Sequence, residues 1–223
     1  MTEAGEPLGV ARELFGDRFE LAWRYRGLLA GEATTRGLIG PREVGRLWPR
    51  HLFNSAVLTE LLPEGARIVD VGSGAGLPGI VLAIRRPDLQ VELVEPLRRR
   101  TEFLRYAVDL LGLTESVRVV PGRAEDPEVR AAVGSVEWVT ARAVAPLDRL
   151  VRWCLPLLRP GGQLLAMKGV TAADELADHD QALRRAGVDL VTVVRCGLPV
   201  LAQPTIVVVV RRAPTDPGQE ARA

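Results

Sequence analysis

The sequence is poor in the residues that build metal centres and disulfide frameworks. Its 223 residues include two cysteines, Cys154 and Cys196, and two histidines, His51 and His179. The cysteines lie far apart and fit no metal-ligand spacing and no disulfide pattern, and two histidines cannot build a metal site unaided. We therefore expect two buried free thiols and no metal.

Long hydrophobic runs are also absent. No stretch reaches the ~18 consecutive apolar residues of a membrane span, and the first residues, MTEAGEPLGV, lack the basic-then-apolar order of a signal peptide. We expect a cytoplasmic protein that does not enter the membrane. With 47% apolar residues and a mean hydropathy of +0.10, the chain can bury one sizeable core.

The chain also has almost no excess of charge of one sign and very little lysine. The formal net charge is +1, which excludes a polycation that binds nucleic acid indiscriminately. Of the 29 basic residues, Lys168 is the single lysine and the rest are arginine. We favour coding bias as the explanation of this composition, although the planar donor fork of arginine also suits phosphate and base recognition. Any nucleic-acid contact must come from local patches.

The segment from Arg67 to Gly79, RIVDVGSGAGLPG, is the most informative part of the chain. An apolar run ends at an acid and is followed by four glycines, a pattern that predicts a strand leading to a nucleotide-like cofactor and a helix start. Glycine permits positive φ and close backbone approach, so exposed N–H groups can face a ligand. A turn that binds nothing needs only one or two glycines. We expect a strand over 67–69, Asp70 at its polar end as a ligand anchor, and a helix through Ile84.

Two cofactors compete for this loop. Gly74-x-Gly76-x-x-Gly79 satisfies the dinucleotide fingerprint, and Glu95 follows at roughly the ~20 residues expected. However, a fingerprint that begins at Gly74 would place Asp70 and a glycine inside a strand buried on both faces, which is unfavourable. A loop that begins at Gly72 avoids the conflict and has the pattern used for S-adenosylmethionine. We therefore favour S-adenosylmethionine over NAD.

After the loop, apolar β-type runs alternate with helical patterns, which is typical of an α/β fold. The further predicted strands are 91–95, 117–120, 137–140, 163–167, 190–195 and 205–211, and the predicted helices are 97–111, 146–158 and 173–186. The last two strands have no helix between them, which predicts an antiparallel pair. Seven strands, mostly parallel with a C-terminal antiparallel hairpin, describe the Rossmann-like sheet of a class I S-adenosylmethionine-dependent methyltransferase over residues 67–212.

Residues 1–66 show no strand pattern, and we predict a helical extension that caps the substrate side. Two helices are expected, over about 10–29 and 41–61. Arg42, Arg46 and Arg50 repeat every four residues and share one face of the second helix, which either is solvated or contacts RNA. Pro49 must bend or interrupt that helix. Residues 213–223 are predicted to be a disordered tail.

Several motifs together resemble one family. The sequence VDVGSGAGLPG, the segment RHLFNS at 50–55, the segment TARA at 140–143 and the pair Lys168-Gly169 are similar to those of the RsmG (GidB) family of 16S ribosomal RNA methyltransferases. The similarity covers about residues 10–212. It implies transfer of a methyl group from S-adenosylmethionine to N7 of a guanine in 16S rRNA. Where many members carry Asn-Leu-Thr before the Arg-His pair, this chain has TRGLIG at 35–40.

The resemblance also implies site residues. By motif position, the cofactor-binding residues are Gly72, Leu77, Ala124, Glu125 and Arg142. The residues themselves add Gly74 in the loop and Glu95 at the end of the second strand, where a carboxylate can accept both ribose hydroxyls. The alternative for Glu125 is an acid that only stabilises a helix start. The alternative for Arg142 is a residue that only forms a structural ion pair.

On the substrate side, we expect Arg142 and Lys168 to be the catalytic-site groups, because both can hold the RNA or guanine O6. Arg50 and His51 are candidate substrate-binding residues, and Lys168 can equally face solvent. The partner would be 16S rRNA or the small ribosomal subunit, and we expect a monomer.

Missing motifs bear on the chemistry. The Asn/Asp-Pro-Pro-aromatic loop of many amine methyltransferases is absent after the fourth strand, and neither cysteine is placed as a nucleophile. Guanine N7 has an unprotonated lone pair, so it needs alignment rather than a general base. The alternatives are a class I methyltransferase with a small-molecule or protein acceptor, an NAD-dependent oxidoreductase and a noncatalytic RNA-binding module.

Overall fold

A seven-stranded sheet forms the centre of the protein. The computed structural model describes residues 7–142, 145–169 and 181–214. The strands are β1 Arg67–Val71, β2 Gln90–Glu95, β3 Val117–Pro121, β4 Val136–Arg142, β5 Leu158–Lys168, β6 Val188–Cys196 and β7 Thr205–Arg212. The α-helices are α1 Leu8–Phe15, α2 Phe19–Leu28, α3 Asn54–Ala56, α4 Gly79–Arg85, α5 Arg98–Leu110, α6 Pro127–Val133 and α7 Leu147–Cys154.

The strand order is β3-β2-β1-β4-β5-β7-β6. Neighbouring strands among the first five are parallel, whereas β7 is antiparallel to both β5 and β6. The predicted α/β sheet with a C-terminal antiparallel hairpin is therefore confirmed. The order reverses between β1 and β4, and in open α/β sheets ligands bind in the crevice outside the carboxyl ends of such a strand pair.

The predicted end of the first strand was wrong. Strand β1 continues to Val71, so Asp70 lies inside it, and its side chain is completely buried. The strand tolerates this acid because the carboxylate accepts hydrogen bonds from the Gly79 N–H at 3.2 Å and from the Thr140 hydroxyl at 3.1 Å. The position of Asp70 thus does not discriminate between the two cofactors, and Asp70 is not an exposed ligand anchor.

One short helix escaped the pattern. Helix α6 has seven residues and buries only Val129 and Val133, so its apolar pattern is too short to indicate a helix from the sequence. The other helices after the loop lie close to their predicted positions, with Gly112 in the left-handed region just after α5. Of the predicted helix 173–186, residues 173–180 lie outside the described residues, and 181–185 are helical.

The N-terminal region is helical as predicted, but both helices are broken. A 3₁₀ turn, Gly16–Arg18, separates α1 from α2, and the second helix is replaced by a 3₁₀ segment Pro41–Arg46, a π segment Leu47–Phe53, α3 and a 3₁₀ segment Val57–Leu61. The π segment contains Pro49. Because proline lacks an N–H and crowds the carbonyl of the preceding turn, a regular α-helix cannot continue through this position. Arg42, Arg46 and Arg50 are all exposed.

The N-terminal helices and the sheet share one hydrophobic core. Leu52 and Leu58 from the N-terminal region belong to the same buried cluster as Ile80 and Leu82 of α4 and Phe103 of α5. A second cluster on the other face of the sheet joins Val139 of β4 to α6 and α7. The boundary at residue 66 remains a prediction, as does the tail, of which residues 215–223 are not described. Nowhere in 7–142, 145–169 or 181–214 is there a helix long and apolar enough to cross a membrane.

Candidate active site

The crevice at the carboxyl ends of β1 and β4 gathers the chemistry-bearing residues. Asp70 is opposite Thr140 in the register, and Val71 is opposite Ala141, so Gly72 and Arg142 follow side by side. On the next strand, β5, Met167 is opposite Arg142, so Lys168 also lies at the carboxyl ends of the strands. The parallel sheet therefore assembles residues that lie up to about a hundred positions apart.

The glycine loop needs its glycines for two different reasons. Gly72, Gly74 and Gly76 have φ values of 70°, 61° and 98°, which side chains rarely adopt. A Cβ on Gly79 would lie 2.3 Å from Leu93 Cδ2, so the start of α4 could not pack against β2. The loop thus turns sharply and keeps its backbone close to the sheet edge.

Glu95 ties the loop to the end of β2. Its side chain is fully buried, and its carboxylate accepts hydrogen bonds from the N–H groups of Gly74, at 2.9 Å, and Leu97, at 3.0 Å. Arg100 lies 3.6 Å from the same carboxylate. A buried carboxylate held in this way is a rigid acceptor at the wall of the crevice.

One cavity, which we call the glycine-loop cavity, lies beside this carboxylate. It measures about 430 Å³ and is lined by Gly72, Glu95, Ala124 and Glu125, with Arg100 and Trp153 at its sides. Four of the predicted cofactor residues are thus brought together, and Gly74 joins them through Glu95. Leu77 is buried and does not line this cavity. The predicted roles of all these residues remain predictions.

A second cavity, the arginine cavity, lies on the other side of the strand ends. It measures about 620 Å³, and Arg50, His51, Arg142 and Lys168, the four predicted substrate-side residues, all line it. Leu38, Ile39 and Gly40 also line it, so the segment that differs from the family pattern faces this cavity. Lys168 Nζ donates to the Ala145 carbonyl at 3.1 Å.

His51 is held between Glu43 and Arg142. Its Nε2 lies 2.9 Å from Glu43 Oε2, and its Nδ1 is hydrogen-bonded to Arg142 Nη2. Because a guanidinium only donates, Nδ1 must accept, so Nε2 carries the proton and donates to Glu43. Burial and then the Arg142 charge lower the pKa of His51, while Glu43 opposes them. The imidazole is therefore neutral near pH 7.

Arg142 keeps one donor unused. Among the described residues, its Nη1 atom is buried and has no hydrogen-bond partner, and no carboxylate lies within 4 Å of the guanidinium. Burial lowers the pKa of Arg142, while Tyr25 and Asp70 oppose this. A buried guanidinium with a free donor is costly unless a ligand accepts from it. The structural ion pair considered for Arg142 is not seen in the described part of the chain.

Comparison with known proteins identifies the family. The family model described as rRNA small subunit methyltransferase G (GidB) matches residues 18–205. The chain belongs to this family. A protein of Salinispora arenicola named ribosomal RNA small subunit methyltransferase G is 58% identical over 208 residues, which cover 91% of this chain and 85% of that protein. A protein of the same name from Mycolicibacterium smegmatis is 52% identical over 210 residues, covering 94% and 88%.

Solved structures agree on the fold. Mitomycin 7-O-methyltransferase MmcR superimposes with a TM-score of 0.60 at 18% identity, over 93% of this chain and 69% of that one. Aeropyrum pernix fibrillarin, solved with natively bound S-adenosyl-L-methionine, gives a TM-score of 0.51 at 21% identity, over 72% and 74%. The predicted class I S-adenosylmethionine-dependent methyltransferase fold is therefore confirmed for this member of the methyltransferase G family.

Two residues at this family member's site were missed by sequence reasoning. The Tyr25 hydroxyl, fully buried on α2, donates to the Ala75 carbonyl in the glycine loop at 2.7 Å. Glu43 contacts His51 although the two lie eight positions apart, whereas side chains on a regular α-helix contact each other three or four positions apart. The contact arises because a 3₁₀ segment gives way to a π segment between them. No periodic signal could have indicated either residue.

Proposed function

We propose that this protein transfers a methyl group from S-adenosylmethionine to N7 of a guanine in the 16S rRNA of the small ribosomal subunit. The observation that carries the proposal is the arrangement at the ends of β1 and β4. There, a glycine loop and a buried carboxylate border one cavity, and a buried arginine with a free donor borders the other. Membership of the methyltransferase G family supports the same acceptor.

The residues of the glycine-loop cavity fit the nucleoside part of S-adenosylmethionine. Positive-φ glycines keep Cβ atoms out of the loop, Glu95 presents buried acceptor oxygens, and Ala124 adds a small apolar wall. When bound, S-adenosylmethionine supplies an electrophilic methyl group. Glu125 also lines this cavity and is a further group for the polar ends of the cofactor. Arg142 lines the arginine cavity instead, so its predicted cofactor contact stays a prediction.

The arginine cavity fits an acceptor that loses no proton. Both ring nitrogens of His51 are already engaged, and Asp70 is sealed beneath the loop, so neither group is placed to remove a proton. Guanine N7 attacks with its own lone pair and needs only to be held in line. Arg142 and Lys168 would offer donors and positive charge to guanine O6 and the RNA backbone.

The proposal is tested by following methyl groups from labelled S-adenosylmethionine into naked 16S rRNA and into small subunits, with cleavage mapping of N7-methylguanine. We expect one N7-methylated guanine, which should be missing from 16S rRNA of cells that lack this protein. Label in another base position or in protein, or an unchanged modification in those cells, would contradict the proposal.

Substitution of Arg142 tests the site. Because Arg142 holds a free donor in the crevice, Arg142→Ala should lower methylation by about 100-fold or more with little loss of thermal stability. Arg159→Ala is the matched control, since Arg159 pairs with Glu137 at the amino ends of β4 and β5, away from the crevice. Turnover of Arg142→Ala equal to that of the control would remove Arg142 from the site. We expect the active species to be a cytoplasmic monomer.

A further inference from the structure

Glu43 lies where the N-terminal region meets the arginine cavity. Its carboxylate receives the Nε2–H of His51 at 2.9 Å, and the guanidinium groups of Arg50 and Arg46 lie 3.6 and 3.9 Å away. The side chain is 28% exposed, whereas both arginines are about 60% exposed. The bond to His51 is therefore the shortest and most protected of the three.

The bond from Glu43 determines how His51 meets Arg142. An ionised carboxylate can only accept hydrogen bonds, so Glu43 selects the imidazole tautomer that carries its proton on Nε2. That tautomer leaves a lone pair on Nδ1 for Arg142 Nη2. In the other tautomer, an Nδ1–H would face a guanidinium N–H, and the hydrogen bond would be lost.

We propose that Glu43 is a positioning residue for Arg142, which acts through His51 to hold the guanidinium toward the reacting guanine. This inference rests on the proposed function of the site. Arg142 has no carboxylate partner among the described residues, so His51 is the neighbour that orients its Nη2 side. The buried Nη1 atom has no hydrogen-bond partner among the described residues, so it remains available as a donor once a ligand enters. A small misplacement of such a group slows a reaction that depends on alignment.

A competing explanation is that Glu43 acts only by its charge. A carboxylate beside Arg46 and Arg50 weakens their attraction for phosphate, so its removal would strengthen RNA binding without any effect through His51. Two variants separate these explanations. Glu43→Ala and Glu43→Gln remove the same charge, but the amide oxygen of glutamine can still accept from Nε2–H.

The kinetic test measures methylation of small subunits at pH 7.5 by Glu43→Ala, Glu43→Gln, His51→Gln and the double variant His51→Gln/Glu43→Ala. We expect Glu43→Ala to lower kcat about tenfold, with KM for the subunit and Kd for S-adenosylmethionine changed less than about twofold. Glu43→Gln should recover a good part of kcat. In the His51→Gln background, Glu43→Ala should cause no further loss, because its effect passes through His51.

The matched control is Glu137→Ala, which removes a glutamate from an exposed ion pair with Arg159 at the amino ends of β4 and β5 and should behave as wild type. Equal rates for Glu43→Ala and Glu43→Gln, an additive loss in the double variant, or a gain in RNA affinity without a fall in kcat would each overturn the proposal.

A second measurement needs neither RNA nor turnover. Imidazole ¹⁵N spectra report the tautomer directly, and the chain has only two histidines, so His179→Gln assigns the His51 signals. We expect a neutral Nε2–H tautomer in the wild type and a mixture in Glu43→Ala. A wild-type Nδ1–H tautomer, or an unchanged spectrum in Glu43→Ala, would overturn the positioning role. If wild type does not methylate RNA, the proposed function fails while this measurement still decides whether Glu43 orients His51.

Discussion

At the residue scale, Asp70 shows how the fold uses a buried acid. It lies in the middle of the sheet beneath the glycine loop, where it accepts from Gly79 at the start of α4 and from Thr140 on β4. Burial raises its pKa from 3.8 to about 6, against the opposing effect of the Gly79 N–H and of Thr140. The carboxylate joins three elements at the cost of its own desolvation.

This gives a pH prediction. Because the folded pKa lies above the ordinary value, the folded protein holds the Asp70 proton between about pH 4 and pH 6 while the unfolded chain has released it. The free energy of unfolding should therefore fall as pH rises through this window, by about 3 kcal/mol in total. Asp70→Asn does not titrate, so its free energy of unfolding relative to wild type should rise by that amount, as measured by urea unfolding from pH 4 to 7.

Asp88→Asn is the control for this experiment. Arg86 holds the pKa of Asp88 below its ordinary value, so that carboxylate contributes stability that is lost only as pH falls below about 4. Its difference from wild type should be flat between pH 4 and 6. A flat difference for Asp70→Asn as well would show that Asp70 ionises normally in the folded protein.

At the scale of elements, helix α2 supports the glycine loop from the N-terminal side. The Tyr25 hydroxyl donates to Ala75, and a Cβ on Gly76 would lie 2.9 Å from that hydroxyl oxygen. A helix of the N-terminal region is thus hydrogen-bonded directly to the glycine loop. The conformation of the loop depends on an element that lies about fifty residues earlier.

Removal of this bond tests the dependence. Tyr25→Phe leaves the buried Ala75 carbonyl without its donor, which should cost about 1–3 kcal/mol of stability and weaken binding of S-adenosylmethionine severalfold. Calorimetric titration and thermal unfolding measure the two effects. Tyr106→Phe is the natural comparison, because Tyr106 is the other tyrosine and is 41% exposed on α5. If both variants bind the cofactor equally well, Tyr25 does not support the loop.

At the scale of the whole molecule, the shared core predicts one cooperative unit. The N-terminal helices and α4 bury their apolar faces in the same cluster. Local unfolding of either part would therefore expose the apolar face of the other to water. Amide exchange in increasing urea should give the same opening free energy for residues 47–58 as for β1 and β4. A helical extension that exchanges at markedly lower urea would instead be an independent domain.

Local patterns were enough for much of the architecture. Alternating β and helical runs predicted the strands after the first to within a few residues, except that β5 begins five residues earlier, and the missing helix after β6 predicted the hairpin. The loop and its positive-φ glycines were also evident from local sequence. The end of β1 was misplaced because a charge in a buried strand is unfavourable until its partners, Gly79 and Thr140, are known.

By itself, the sequence determined the α/β class, the glycine loop and the family, since these depend on periodicity, glycine chemistry and motifs that are local along the chain. Only the tertiary structure decided which side chains meet. The carboxyl ends of β1, β4 and β5 bring Gly72, Arg142 and Lys168 to one crevice, and irregular helical turns bring Glu43 to His51. Contacts of this kind depend on strand order, register and turn geometry, which no single stretch of sequence encodes.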